Sequence, residues 1–271
     1  MSNKLPGALF VIGLGPGDAA LVTPEVTAAL ARCTDVFGYF PYVARVPERP
    51  GLMRHASDNR EEIARAQAAL ACAAAGGQVA VVSGGDPGVF AMASAVFEAI
   101  EHGPAAWQAL DIQVLPGISA MLAAAARVGA PLGHDFAVVS LSDNLKPWEL
   151  VLHRLRAAAS AGFALALYNP ISRARPWQLG AALTALRDIL PLETPVIFAS
   201  AVTRPDERIE ILTLAEAAAE PDRADMRTMV LIGTAETRRI ARGDGLSDWV
   251  YAPRSAGPRS TGPRSAGARP A

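Results

Sequence analysis

Three short stretches place small residues and lone carboxylates where apolar runs end: GLGPGD (13–18), SGGDPG (83–88) and PGISA (116–120). Glycine at such a stop allows positive φ in a sharp turn and lets a ligand approach the backbone without meeting a Cβ. In an open parallel sheet, ligands bind beyond the carboxyl ends of the strands. Three stops of this kind on one sheet therefore predict a pocket made largely of main chain. The groups within them suited to acid–base work are Asp18 and Asp86, each a candidate base. Each also has a structural reading. Asp86 could cap the helix that follows it, and Asp18 could terminate its own turn.

Other chemistries are disfavoured. GLGPGD carries Asp18 where the dinucleotide fingerprint GxGxxG needs its last glycine, and GxxxxGK[ST] does not occur. An acid in the loop suits a neutral or cationic small molecule, or a ribose hydroxyl, better than a phosphate. Cys33 and Cys72 form no CxxC pattern, and His55, His102, His134 and His153 lack metal-ligand spacing. No metal site is expected.

The loops need strands to hold them. LFVIGLG, TDVFGYF, VAVVSGG and DIQVLPG read as buried strands, with helices between them. Thr23 is a plausible N-cap with Pro24 in the first turn, and NREEIARAQAALACAAAGG is a helix stopped by Gly76-Gly77. Further helices are expected from Val89 to Glu101 and from Ser119 to Arg127. Buried strands alternating with helices argue for a parallel sheet covered on both faces. VGAPLGHD (128–135) breaks this pattern. Beyond it, FAVVSLS, FALALYNP, TPVIFASAV, ERIEILTL and TMVLIGTA read as strands, and the turn RPDE predicts an antiparallel hairpin in a mixed sheet. The expected organisation is an α/β domain over 1–130, a second over 131–252, and a disordered tail over 253–271. The tail repeats GPRS-like units with Arg254, Arg259, Arg264 and Arg269, and its composition cannot build a core.

Hydrophobic residues make up 51% of the chain and charged residues 19%, with a net charge of −1. That favours a compact globular protein and gives no global field for nucleic acid or membrane. MSNKLPGALFVIG lacks a secretory pattern, and no run reaches the length of a membrane span, so a cytoplasmic protein is expected.

GLGPGD followed by LVTPEV, then SGGDPGVFAMA, LPGISA and LYNP, resembles the tetrapyrrole methylase family over about Leu9 to Ala235. LYNPISRARPWQL is similar to the members that methylate carbon C17 of precorrin-3B. The resemblance implies two α/β domains with S-adenosylmethionine (leaving as S-adenosylhomocysteine) in the cleft between them, a tetrapyrrole substrate and a homodimer. Carried over residue by residue, it implies that Pro16 lines the cleft. Gly84, Gly85 and Asp86 meet the methionine part of the cofactor, and Val89 packs near it. Ser119 and Ala120 give the next contact, Tyr168 and Asn169 another, and Thr228 and Met229 lie near the adenine with Leu212 in the same pocket. Asn169 departs from the Tyr-Met common elsewhere in the family, which leaves a backbone contact as its implied role.

The implied reaction is C17 methylation of precorrin-3B with ring contraction to precorrin-4, in corrin biosynthesis. Methyl transfer to an enamine-like carbon needs alignment rather than a protein nucleophile or a metal. Contraction would use a base, for which Asp18 and Asp86 are the candidates. Arg45, Arg173 and Arg175 are candidates to bind substrate carboxylates, and Tyr168 and Trp177 could face the macrocycle or the core. Alternatives are the cobalt-containing counterpart of this step, a nucleotide-binding regulator and an RNA methyltransferase. The regulator lacks a phosphate loop, and the RNA enzyme lacks a basic balance.

Overall fold

A computed structural model describes residues 7–243 and 245–255. All but the first three residues of the expected disordered tail lie outside that range.

The first sheet contains β1 (Ala8–Gly13), β2 (Asp35–Tyr39), β3 (Met53–Ser57), β4 (Gln78–Ser83) and β5 (Asp111–Leu115), in the order β3-β2-β4-β1-β5. Every pairing in it is parallel. Helices α1 (Pro24–Arg32) and α2 (Phe40–Val43) cover one face, where Phe10, Ile12, Val36, Ala80 and Val82 meet Val26, Ala29 and Val43. Helices α3 (Glu62–Ala74) and α4 (Met92–Glu101) cover the other, where Leu9, Val11, Val79 and Val81 meet Ala69, Leu70 and Val96. Burial on both faces is why β1, β2 and β4 read as apolar runs; β5, expected to be buried, is instead an edge strand exposed at Asp111, Gln113 and Val114. Thr23 caps α1 by accepting from Val26 N at 3.2 Å, and Gly76 ends α3 at φ +95°. Strand β3, MRHAS, was not anticipated; it is a partly exposed edge strand with no apolar run to announce it.

The second sheet contains β7 (Phe136–Ser140), β8 (Ala164–Tyr168), β9 (Pro195–Ser200), β10 (Arg208–Thr213) and β11 (Thr228–Ile232), in the order β10-β9-β11-β8-β7. β7 and β8 are parallel; the remaining pairs, including the β9–β10 hairpin, are antiparallel. Helices α6 (Trp148–Ser160), α7 (Gln178–Leu186) and α8 (Leu214–Ala219) pack on one face through Leu155, Leu179, Leu183 and Leu214. The opposite face is covered by α5 (Ala120–Val128), whose Ala123, Ala124 and Val128 meet Ala166, Ile197, Ala199 and Met229. Helix α5 thus leaves the third glycine stop of the first sheet and lies against the second. A small third sheet joins β6 (Gly129–Ala130), β12 (Arg238–Ile240) and β13 (Trp249–Tyr251).

Candidate functional site

The three glycine stops follow β1, β4 and β5, which lie side by side as β4-β1-β5. Their loops consequently emerge together. Gly15 N donates to Gly85 O at 3.1 Å, and Gly85 N returns a bond to Gly15 O at 2.9 Å. Both glycines have positive φ, +67° and +66°. A Cβ on Gly13 would lie 2.5 Å from Gly85 O and 2.8 Å from Gly117 N; one on Gly117 would lie 2.7 Å from Gly13 O. Bare backbone from all three loops occupies this junction, and no larger residue fits there.

Asp86 fastens the second loop to the third. Its Oδ1 accepts from Gly88 N at 2.8 Å and its Oδ2 from Gly117 N at 3.1 Å. The capping role expected of it is real, but it serves a turn rather than α4, which starts only at Met92. The intervening residues turn sharply, with Phe90 at φ +51°. With both oxygens engaged by N–H groups, Asp86 serves as a tie between loops. Asp18 follows the turn reading: its Oδ1 accepts from Ala20 N at 2.9 Å and leaves the exposed Oδ2 open.

Pro16 is buried within the first loop, while Gly84, Gly85, Asp86 and Val89 are half-buried. Ser119 precedes α5 as its N-cap residue, yet makes no side-chain cap bond. Its Oγ is buried and makes no hydrogen bond of good geometry among the described residues, with the Tyr168 hydroxyl as its polar neighbour. Ala120 N points near the second loop, 3.7 Å from where a Gly85 Cβ would be. A helix N-terminus and a buried hydroxyl thus border the glycine junction, a polar cradle within an apolar frame.

The second half of the chain contributes side chains. The Tyr168 hydroxyl accepts from Met121 N at 3.4 Å, and its ring meets Phe90 edge-on at 5.4 Å between centroids. Burial raises its phenol pKa. Lys146 Nζ stands 5.8 Å from the Phe90 ring centroid, its pKa lowered by burial and by Arg154. Asn169 has φ +52°, which asparagine tolerates better than most residues, and donates from Nδ2 to Ser140 Oγ at 3.0 Å. That bond occupies its side chain, and the residue is exposed.

The remaining candidates divide by sheet face. Met229 packs on the α5 face beside Tyr168 and Ala120. Thr228 points the other way, where its hydroxyl bonds Ser200 Oγ at 2.6 Å and donates to Asp225 at 2.8 Å. Leu212 also packs on the opposite face, among the residues under α6, α7 and α8. The side chains of Thr228 and Leu212 therefore do not join Met229 at the site, because neighbouring strand positions alternate between faces. Arg45 is also placed differently from its expected role on the rim. Its guanidinium donates to the carbonyls of Leu14, Gly15 and Gly17 and holds the first loop. Arg173 is exposed, Arg175 is half-buried, and Trp177 is half-exposed, packing edge-on against Trp148 at 5.0 Å.

Sequence reasoning missed Tyr42, whose ring lies where a Gly84 Cβ would come within 2.7 Å of it. It also missed the turn 201–204, whose Thr203 Oγ1 accepts from Asp18 N at 3.1 Å. Neither carries a motif; only the tertiary approach reveals them.

Main chain from adjacent loops, a helix start and a buried hydroxyl can hold a small polar ligand and orient it. Neither acid is aimed as a nucleophile. Among the described residues, no three of His, Cys, Asp and Glu gather as metal ligands, and no helix is long and apolar enough to cross a membrane.

Comparison with known proteins gives the family. The model of the Tetrapyrrole (Corrin/Porphyrin) Methylases matches residues 8–218. The chain belongs to this family. It is 59% identical over 250 residues to a precorrin-3B C(17)-methyltransferase of Sinorhizobium sp, covering 92% of this chain and 97% of that one. It is 38% identical over 232 residues to a probable cobalt-factor III C(17)-methyltransferase of Salmonella typhimurium, covering 84% and 93%. The crystal structure of the methyltransferase CobJ superposes with a TM-score of 0.86 at 54% identity, covering 91% of this chain and all of that one. The chain is thus a methyltransferase of the cobalamin-biosynthesis type, with the α/β architecture expected from its strand pattern.

Proposed function

We propose that this protein methylates C17 of precorrin-3B, with ring contraction to precorrin-4, using S-adenosylmethionine bound between an N-terminal domain (1–130) and a C-terminal domain (131–252). The observation that carries the reading is the meeting of Gly13, Gly85 and Gly117, main chain against main chain, at one junction. The 59% identity to the Sinorhizobium enzyme supports the metal-free substrate over the cobalt-containing one, for which the Salmonella relative stands at 38%.

When bound, S-adenosylmethionine supplies a methyl group on a cationic sulfur. The chain's residues would do the rest. The backbone of Gly84 and Gly85, the α5 N-terminus and the Ser119 hydroxyl answer the amino-acid end. Tyr168, the Asn169 backbone and Met229 line the opposite side, and Pro16 and Val89 close the rim. The small residues leave room for acceptor carbon, methyl and sulfur to align. Asp18, with one free oxygen, is the better placed of the two acids to take a proton during contraction, while Asp86 keeps the loops together.

The family resemblance supports a homodimer working in the cytoplasm. Incubation with S-adenosylmethionine and precorrin-3B, followed by mass spectrometry, tests the reaction. The expected result is a gain of one methyl group. No gain with precorrin-3B, but a gain with cobalt-factor III, would move the assignment to the other substrate.

A further inference from the structure

The cation that the fold brings against the glycine loops is Arg204, which no motif marks. It ends the turn 201–204 between β9 and β10, where Ala201 has φ +48° and Thr203 φ +67°. Left-handed backbone at such residues is unfavourable and persists only where the surroundings enforce it. Here Thr203 Oγ1 accepts from Asp18 N, Thr203 N donates to the Glu207 carboxylate, and Arg204 N donates to Ala201 O at 3.0 Å. The turn is therefore pinned to the first loop, and it delivers Arg204 there. The side chain passes over Gly17: a Cβ on that glycine would lie 2.6 Å from Arg204 Cγ and 3.2 Å from its Nε.

Arg45 approaches the same loop through its bonds to the carbonyls of Leu14, Gly15 and Gly17. Tyr42, packed on Gly84, lies within the field of both arginines. Burial, and then the charge of Arg204, lowers the pKa of Arg45. Two like charges held near each other favour an anion between them. Arg45 is answered by three carbonyls, whereas the Arg204 guanidinium has no hydrogen bond or ion pair among the described residues. Asp206 pairs with Arg227 at 2.5 Å and Glu207 with Arg127 at 2.9 Å, while Asp18 spends Oδ1 on Ala20 N, keeps Oδ2 open and makes no ion pair with Arg204.

We propose that Arg204, backed by Arg45, is a substrate-binding residue that takes one peripheral carboxylate of the macrocycle at the mouth of the glycine junction. A guanidinium fork matches a carboxylate in plane and in donor spacing. The inference rests on the tetrapyrrole reading above. The cofactor's own carboxylate presents the same chemistry, so the two sources must be separated.

Calorimetry with S-adenosylhomocysteine, fluorescence titration with uroporphyrin as a stable polycarboxylate macrocycle, and turnover of precorrin-3B would be run on the full chain. Arg204→Gln, Arg204→Lys and the remote control Arg187→Gln would be compared with wild type. Loss of a charge-assisted contact predicts roughly a tenfold or greater rise in KM for precorrin-3B and a similar weakening of uroporphyrin binding in Arg204→Gln. S-adenosylhomocysteine affinity should stay within about twofold, Arg204→Lys should recover part of the loss, and Arg187→Gln should match wild type. Weakened S-adenosylhomocysteine binding, alone or in equal measure, overturns the proposal, as does unchanged uroporphyrin binding. If Arg204→Gln does not fold, Arg204→Lys decides by the same split. Wild type that binds no S-adenosylhomocysteine and methylates no precorrin-3B would instead defeat the functional reading, a distinct result.

Discussion

The two sheets present unlike edges to the same site. From the first come Gly13, Gly85 and Gly117, backbone against backbone, cross-linked by Asp86. From the second come Tyr168 and the turn bearing Thr203 and Arg204, which reach across with side chains. The parallel sheet needs no side chain there because its strands already deliver three loops to one place. The mixed sheet runs mostly antiparallel and has no such row of adjacent carboxyl-end loops, so its contribution depends on side-chain reach. Changes at the first edge should accordingly be severe and global, and those at the second milder and specific to one ligand.

Gly117→Ala tests the severe end. A Cβ there meets the carbonyls of Gly13 and Gly85, an overpacking cost of about 3 kcal/mol. The melting temperature should fall on the order of 10 °C and S-adenosylhomocysteine binding should vanish in calorimetry. Wild-type values for both would erase the contrast. Asp86→Asn comes next. Its amide can satisfy only one of the two N–H groups, at Gly88 and Gly117, which leaves a donor facing a donor at a cost of about 2 kcal/mol. Stability and cofactor affinity should drop together. A loss of turnover of about a hundredfold or more with a normal melting curve would instead make Asp86 a base.

Thr228→Val sharpens the second side of the comparison. It removes the bonds to Ser200 and Asp225 on the face away from the site, so thermal unfolding should show a loss of about 1–2 kcal/mol while S-adenosylhomocysteine affinity is unchanged. The smallest effect belongs to Cys33, buried beneath the first sheet with its pKa pushed up to about 11 from 9.0 by burial. The folded state holds that proton longer than the unfolded chain does. Its contribution is therefore complete below pH 9 and is lost as pH rises toward 11. Melting temperatures of wild type and Cys33→Ala should converge over that window, and parallel curves would contradict the assignment.

Much of the first edge was legible because it is local. The apolar runs, the stops after β1, β4 and β5, and the Thr23 cap are written in consecutive residues. The second edge was less so. Thr228 and Met229 were both assigned to the pocket, although adjacent strand residues face opposite sides; the alternation was readable, but which face met α5 was not. Leu212 packs on the face under α6, α7 and α8, which the sequence did not reveal for the same reason. Arg45 looked like any surface cation, because its targets are carbonyls thirty residues away in the chain. Arg204 sits in a polar turn that sequence reads only as a hairpin connection, and its meeting with Gly17 exists only in three dimensions.

A crystal structure with S-adenosylhomocysteine bound addresses the main-chain pocket most directly. The account predicts the ligand's amino-acid end within about 3.2 Å of backbone atoms of Gly84, Gly85 and Ala120, with Ser119 Oγ joining them. A ligand lodged away from the three glycine turns, or gripped there by side chains alone, would contradict it.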